Sequence, residues 1–226
     1  MKKHVCILQT SFAKRDDTIA YLKSQLPDLR ISFITDDTLL ADTKKIGYPD
    51  HAIVQRMTLY AMAAESMGAD VIFNTCSSVS EVADIYAKVV GIPVIKIDEP
   101  MAREAAEIGG EIALIATVET TLRPSKNLIE KAAEELHKKV NVTPVLVKDA
   151  WEKLASGDTE GHNRALLQKI KELDKQGYNA IVMAQTSMRA ILPMLNDIKT
   201  PVLCSFYSGL DNLVRILKNM DARQRT

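Results

Sequence analysis

The 226-residue sequence is short of several things, and each shortage removes a class of function. Its three cysteines, Cys6, Cys76 and Cys204, are odd in number and far apart, which excludes a disulfide framework and points to a reducing cytosol. Its nine glycines form no Gly-x-Gly-x-x-Gly and no Walker loop, so nothing supports nucleotide binding. Its four histidines, His4, His51, His137 and His162, are scattered. There is no His-Glu-x-x-His, no Cys-x-x-Cys and no ligand pair at helical spacing, so neither a metal site nor a thioredoxin-like redox pair is expected. Aromatic residues make up 5% of the chain, and the lone Trp151, like the methionines of "YAMAAESM", reads most simply as packing. Twenty-nine basic residues balance 29 acidic ones, which gives no electrostatic reason to expect nucleic acid or an anionic membrane as partner. No apolar run is long enough to cross a bilayer. The opening "MKKHVCILQTSFAKRDD" has too short an apolar stretch for a signal peptide, so a cytoplasmic location is expected.

What is present is an ordinary soluble composition, 46% apolar and 26% charged, in a chain long enough for one core or two small lobes. Short β-branched runs alternate with amphipathic ones. Strand "HVCILQT" leads to helix "DDTIAYLKSQLP", strand "LRISFIT", helix "DHAIVQRMTLYAMAAESMG", strand "ADVIFNT", helix "SEVADIYAKVVG" and strand "IPVIKI". This alternation predicts an α/β fold with parallel sheets, and Gly68 and Gly91 suit left-handed helix ends. The pattern then restarts with strand "EIALIAT", helix "SKNLIEKAAEELHKKV", strand "TPVLVKD", a long helical stretch through "NRALLQKIKELDKQG", strand "YNAIVMA", helix "MRAILPMLNDI", strand "TPVLCSF" and a final helix. Thr10 matches Thr117, Cys76 matches Gln185 and Pro93 matches Pro201, at offsets of 107, 109 and 108 residues. Two pseudosymmetric lobes are expected: residues 1–98 joined by a returning helix at 211–226, and residues 99–210. In open parallel sheets ligands bind beyond the carboxyl ends of the strands, so the functional cleft is expected between the lobes.

The strand ends read "QTS", "NTCSS", "ATVETT" and "AQTSM". Hydroxyls, amides and one thiol at the starts of helices form a rim suited to a small carboxylate. Cys76 admits four readings: an inert plug, a metal ligand, a redox thiol, or a nucleophile and base. Its polar surroundings argue against the plug, and the absences above argue against metal and redox roles. A thiol at a helix start is the arrangement that makes thiolate available near neutral pH. Ser77 and Ser78 follow at positions that would cap the helix or hold a carboxylate.

With "TCSSV", "IDEP", "IATVETT" and "MAQTS" in this order, the chain resembles the aspartate/glutamate/hydantoin racemase superfamily, which includes maleate isomerase and arylmalonate decarboxylase. The resemblance implies a cofactor-independent enzyme of two α/β lobes, commonly a homodimer or higher homo-oligomer, acting on a small-molecule carboxylate. It implies that Cys76 is the first catalytic cysteine and that Thr117 and Thr120 bind substrate. Thr10, Ser11, Ser77, Ser78, Thr186 and Ser187 join them as candidate holders of carboxylate and enolate oxygens. The departure is at the second cysteine turn, where this chain has Gln185, followed two residues later by Ser187. An amide donates hydrogen bonds but shuttles no proton at neutral pH. Three chemistries survive: racemization with another second base (Cys204, Glu81, Asp98 or Glu99), cis–trans isomerization through thiolate addition, and decarboxylation with one-sided protonation. A non-catalytic acid binder is the reading from a different class. Arg56 is a candidate partner for a second substrate carboxylate, and "KKIGYPDH", residues 44–51, reads as a surface connection or a lid.

Overall fold

The computed structural model describes residues 3–11 and 15–223. The chain separates into two compact units, one taking it up to Ile97 and again from Tyr207, the other running Asp98–Phe206. In the first unit β1 (His4–Gln9), α1 (Arg15–Gln25), β2 (Arg30–Thr35), α2 (Thr38–Ile46), α3 (His51–Ser66) and β3 (Val71–Asn74) follow in turn. A 3-10 turn (Ser77–Val79), α4 (Ser80–Tyr86) and β4 (Val94–Lys96) complete its sheet, in the order β2-β1-β3-β4.

The second unit opens with α5 (Glu99–Ile108) and β5 (Gly110–Ala116), then a 3-10 turn (Glu119–Thr121), α6 (Leu122–Glu135), β6 (Val140–Leu146), α7 (Lys148–Ala155) and α8 (Thr159–Leu173). It closes with β7 (Ala180–Met183), a 3-10 stretch (Thr186–Met194) and β8 (Val202–Cys204), in the order β6-β5-β7-β8. Every strand pair in both sheets is parallel, and the two orders are the same, so the restart in the sequence is a repeat of topology. The final helix α9 (Ser205–Arg223) belongs from Tyr207 onward to the first unit.

The inner strands explain the apolar runs. "VIFN" and "AIVM" are buried at every position because helices cover both faces of a parallel sheet. β6 carries Pro144 and only one fully buried residue, as an edge strand permits.

Three local expectations need correction. Residues 38–46 form α2, where the sequence reading had strand run directly into a joining stretch. Leu39 and Thr43 bury one narrow stripe, and Gly47 at φ +93° closes the helix with its N–H on Thr43 O. "KKI" is therefore its last turn, and residues 47–50 are a short connection whose Asp50 caps α3 by accepting from Ile53 N at 3.0 Å. The helix at "SEVADIYAKVVG" ends at Tyr86, and Gly91 is not left-handed; its N–H goes to Glu65 Oε1 at 2.7 Å, whereas Gly68 has the expected positive φ of 75°. The first seven residues of "MRAILPMLNDI", 188–194, lie in the 3-10 stretch and 195–198 follow it, because Pro193 cannot donate to an α-helical ladder.

Candidate active site

In the first unit the carboxyl ends of three strands bring the site together. Leu8 is in register with Ile34 and Asn74, and side chains two residues on share their face, which sets Asp36, Thr10 and Cys76 along one row. The ladder continues to that row: Asp36 N donates to Gln9 O at 3.2 Å and Thr75 N to Leu8 O at 3.0 Å. Thr10 Oγ1 donates to Cys76 Sγ at 3.0 Å. Asn74 Nδ2 reaches the Cys76 carbonyl at 3.4 Å. Cys76 is partly exposed and extended (φ −115°, ψ 111°), immediately before the 3-10 turn. Ser77 and Ser78 are buried within that turn, and Val79, rather than either serine, stands at the N-cap of α4. Ser11 is exposed beside Thr10.

The second unit repeats the arrangement with different chemistry. Thr117 continues β5, and its Oγ1 donates at 3.0 Å to Gln185 Oε1, the counterpart of the Thr10 to Cys76 bond. Thr117 N donates to the same oxygen at 2.6 Å and Val118 N at 3.4 Å. Three donors therefore hold one amide oxygen, which leaves the Nε2 hydrogens as what Gln185 can offer a ligand. Val118 and Gln185 are both extended and both open 3-10 turns, as Cys76 does. Thr120 sits half-buried in the Glu119–Thr121 turn, and Thr186 and Ser187, also half-buried, begin the turn after Gln185. Within their own units, then, Thr10 meets Cys76 and Thr117 meets Gln185.

Other candidates are placed differently. Arg56 is committed to protein carboxylates, with Nη1 on Asp36 at 3.2 Å and on Thr38 Oγ1 at 2.7 Å, and Nη2 on Asp42 at 2.5 Å. That removes it as a ready partner for a substrate carboxylate. Cys204 ends β8, is partly exposed, and packs against the apolar cluster of Ile181, Met183 and Ile191. Glu81 lies in the first turn of α4 and Glu99 in that of α5, and Asp98, 2% exposed, is the N-cap of α5. No disulfide joins the cysteines, and among the described residues no group of three metal-ligating side chains assembles. None of the described helices is long and apolar enough to cross a membrane.

The sequence reading missed Asp36, Tyr60 and Asn74. Burial pushes the Asp36 carboxyl up, but hydrogen bonds from Thr38 and Tyr60 and the Arg56 guanidinium outweigh it and hold the group below its ordinary value. Burial, then the bond to Asp36, push the Tyr60 hydroxyl up, so its proton stays on oxygen and points at the carboxylate, 2.8 Å away. The available signal was slight: an asparagine closing an apolar strand in "VIFN", and the doubled aspartate after "FIT".

A family model for Asp/Glu/Hydantoin racemase matches residues 22–210. Among solved structures, a glutamate racemase isoform from Bacillus anthracis superposes with a TM-score of 0.69 at 19% identity, covering 96% of this chain and 82% of that one. The aspartate racemase of Picrophilus torridus gives 0.71 at 17%, covering 94% and 93%. The allantoin racemase of Klebsiella pneumoniae gives 0.60 at 15%, covering 97% and 89%. At such identities the structural likeness is one of fold.

Proposed function

Because the chain belongs to the Asp/Glu/hydantoin racemase family and is an enzyme of the racemase and isomerase type, we propose that it moves a proton at the α-carbon of a small carboxylate or carbonyl compound, without a cofactor, through Cys76. The observation that carries this reading is the hydroxyl of Thr10 donating to Cys76 Sγ at 3.0 Å on a partly exposed strand-end turn. A hydrogen bond to sulfur is stronger when the sulfur is charged, so Thr10 favours the form that accepts a proton. In the reaction the thiolate takes the α-hydrogen, the C–H electron pair moves onto the neighbouring carbonyl or carboxylate as an enolate, and reprotonation collapses it. Polar groups of the first unit's own strand-end turns, Ser11 and the backbone amides after Cys76 among them, are the donors for the enolate oxygens, and such fixed donors supply a large part of a rate enhancement. Gln185 carries no proton.

A second reading is favoured by Gln185 itself. Decarboxylation of a malonate-type acid leaves a carbanion that needs a proton on one face only, so one thiol suffices.

Proton NMR in D₂O separates the possibilities, using amino acids, hydroxy acids, hydantoins, maleate and substituted malonates. Deuterium is expected at the α-carbon of at least one compound, and its product names the reaction. Conversion without solvent deuterium would contradict proton transfer and indicate addition, rotation and elimination of the thiolate.

A further inference from the structure

A lysine is buried where a parallel sheet has no need of one. Lys96 ends β4 at 4% exposure, and its Nζ donates to Asp84 Oδ1 of α4 at 2.8 Å. The bridge is lopsided: the Lys96 side chain is 5% exposed and that of Asp84 54%. Burying an ammonium is costly, and an apolar side chain of similar length in its place is often neutral or stabilising. Lys96 therefore calls for a reason other than stability.

The internal repeat supplies a control. Lys96 is in register with Asn74, two residues before Cys76, and Cys204 is in register with Met183, two residues before Gln185. The two positions are equivalent and 108 residues apart, the offset that also relates Pro93 to Pro201. Where the strand-end turn carries an amide, the neighbouring strand ends in an uncharged residue packed on an apolar cluster. Where it carries the thiol, the neighbouring strand ends in a buried cation tied to the next helix. That helix, α4, is about two turns long. Val82, Ala83 and Tyr86 pack it on the sheet, and the 3-10 turn Ser77–Val79 joins it directly to Cys76. A slide of α4 along the sheet would draw the sulfur away from Thr10 Oγ1, its donor at 3.0 Å.

We propose that Lys96 is a positioning residue for Cys76: its bridge to Asp84 fixes α4 on the sheet and so keeps the thiol on the Thr10 hydroxyl. This role rests on Cys76 being the reacting thiol, and it works through geometry rather than through the charge of Lys96. A charge effect would be shared with the titratable groups of the neighbouring elements. These are Glu81 on α4, Asp36 after β2, Asp42 on α2, Arg56 and Tyr60 on α3, and Asp98, two residues along the chain from Lys96. Such an effect would add to that of the Thr10 bond, whereas positioning acts through the bond.

The measurement is the rate of alkylation of the full-length protein by iodoacetamide against pH, read at Cys76 by peptide mass, beside thermal melts. Thr10→Val is expected to raise the midpoint of the profile by about one pH unit, the size of one hydrogen bond to a charged sulfur. Lys96→Met is expected to raise it by nearly as much while the melting temperature holds or rises, since half-exposed Asp84 can turn to water. The double variant is expected to stand no higher than Thr10→Val alone, because both changes remove the same bond. Asp84→Asn, whose amide oxygen still accepts from Nζ, is expected to keep the wild-type midpoint. Asp84→Ala, changed at the exposed end of the bridge, is expected to follow Lys96→Met. An unmoved midpoint in either Lys96→Met or Asp84→Ala would overturn the role, and so would additive shifts in the double variant. Moved midpoints in a protein whose Cys76→Ala form keeps full activity would keep the positioning and remove the catalytic reading; unmoved midpoints with an inactive Cys76→Ala would do the reverse.

Discussion

Cys76→Ala is expected to lower kcat by about a thousandfold or more, on whichever compound exchanges its α-hydrogen, because a positioned acid–base group contributes about 10²- to 10⁴-fold. KM is expected to change little, since the lost atom acts on the reacting bond rather than on the bound ground state. Cys76 is partly exposed, and its loss leaves the Thr10 hydroxyl, also partly exposed, able to turn to water, so the stability cost is expected to be about 1 kcal/mol or less. Cys76→Ser keeps the size and a donor but not a group that ionises near neutrality, and its kcat is expected near that of the alanine variant. Thr10→Val, which removes only the donor to sulfur, is expected to cost about tenfold. Steady-state kinetics beside thermal melts checks all three. A Cys76→Ala enzyme within tenfold of wild type would assign the proton transfer elsewhere.

The second large effect concerns the return of α9 to the first unit. Leu210, Leu213, Val214 and Leu217 bury one stripe of this helix, and Tyr21 hydrogen-bonds Asp211 with its ring against Tyr207. That bond is the first cause that lifts the Tyr21 hydroxyl to about 12, so Tyr21 stays a donor at any working pH. Gly209 lets the helix backbone lie directly on the end of β4: a Cβ there would strike the Ile97 carbonyl and come 2.5 Å from its Cγ1. The carbonyl is main chain at the end of a sheet and has no rotamer to escape into. Gly209→Ala is therefore expected to destabilise by about 2–3 kcal/mol in urea unfolding, despite the better helix propensity of alanine. Gly68→Ala is the contrast: its site is open space and only the φ of +75° is strained, so about 1 kcal/mol is expected. Equal effects at the two positions would mean that α9 does not press on Ile97.

Much of this was legible in the sequence, and the reasons are physical. A parallel sheet covered on both faces writes itself as apolar runs, so β1, β3, β5 and β7 were plain, and the repeat of Thr10 with Cys76 and Thr117 with Gln185 could be read as paired offsets. The hydrogen bonds that give those offsets meaning depend on pleat and register, which set Thr10 beside Cys76 although 66 residues separate them. α2 was lost because it buries only Leu39 and Thr43. Arg56 read as a possible substrate partner because its competitors, Asp36 and Asp42, belong to other elements.

The central claim is that Cys76 carries the α-proton, and hydrogen washout into D₂O tests it most directly. Each enantiomer of the reacting compound is incubated separately with wild type and with Cys76→Ala, and loss of the α-proton signal is followed by NMR. Washout with wild type and none from either enantiomer with the variant is the expected result, because Gln185 offers no exchangeable base at the matching turn. Washout from the variant at the wild-type rate would contradict the account.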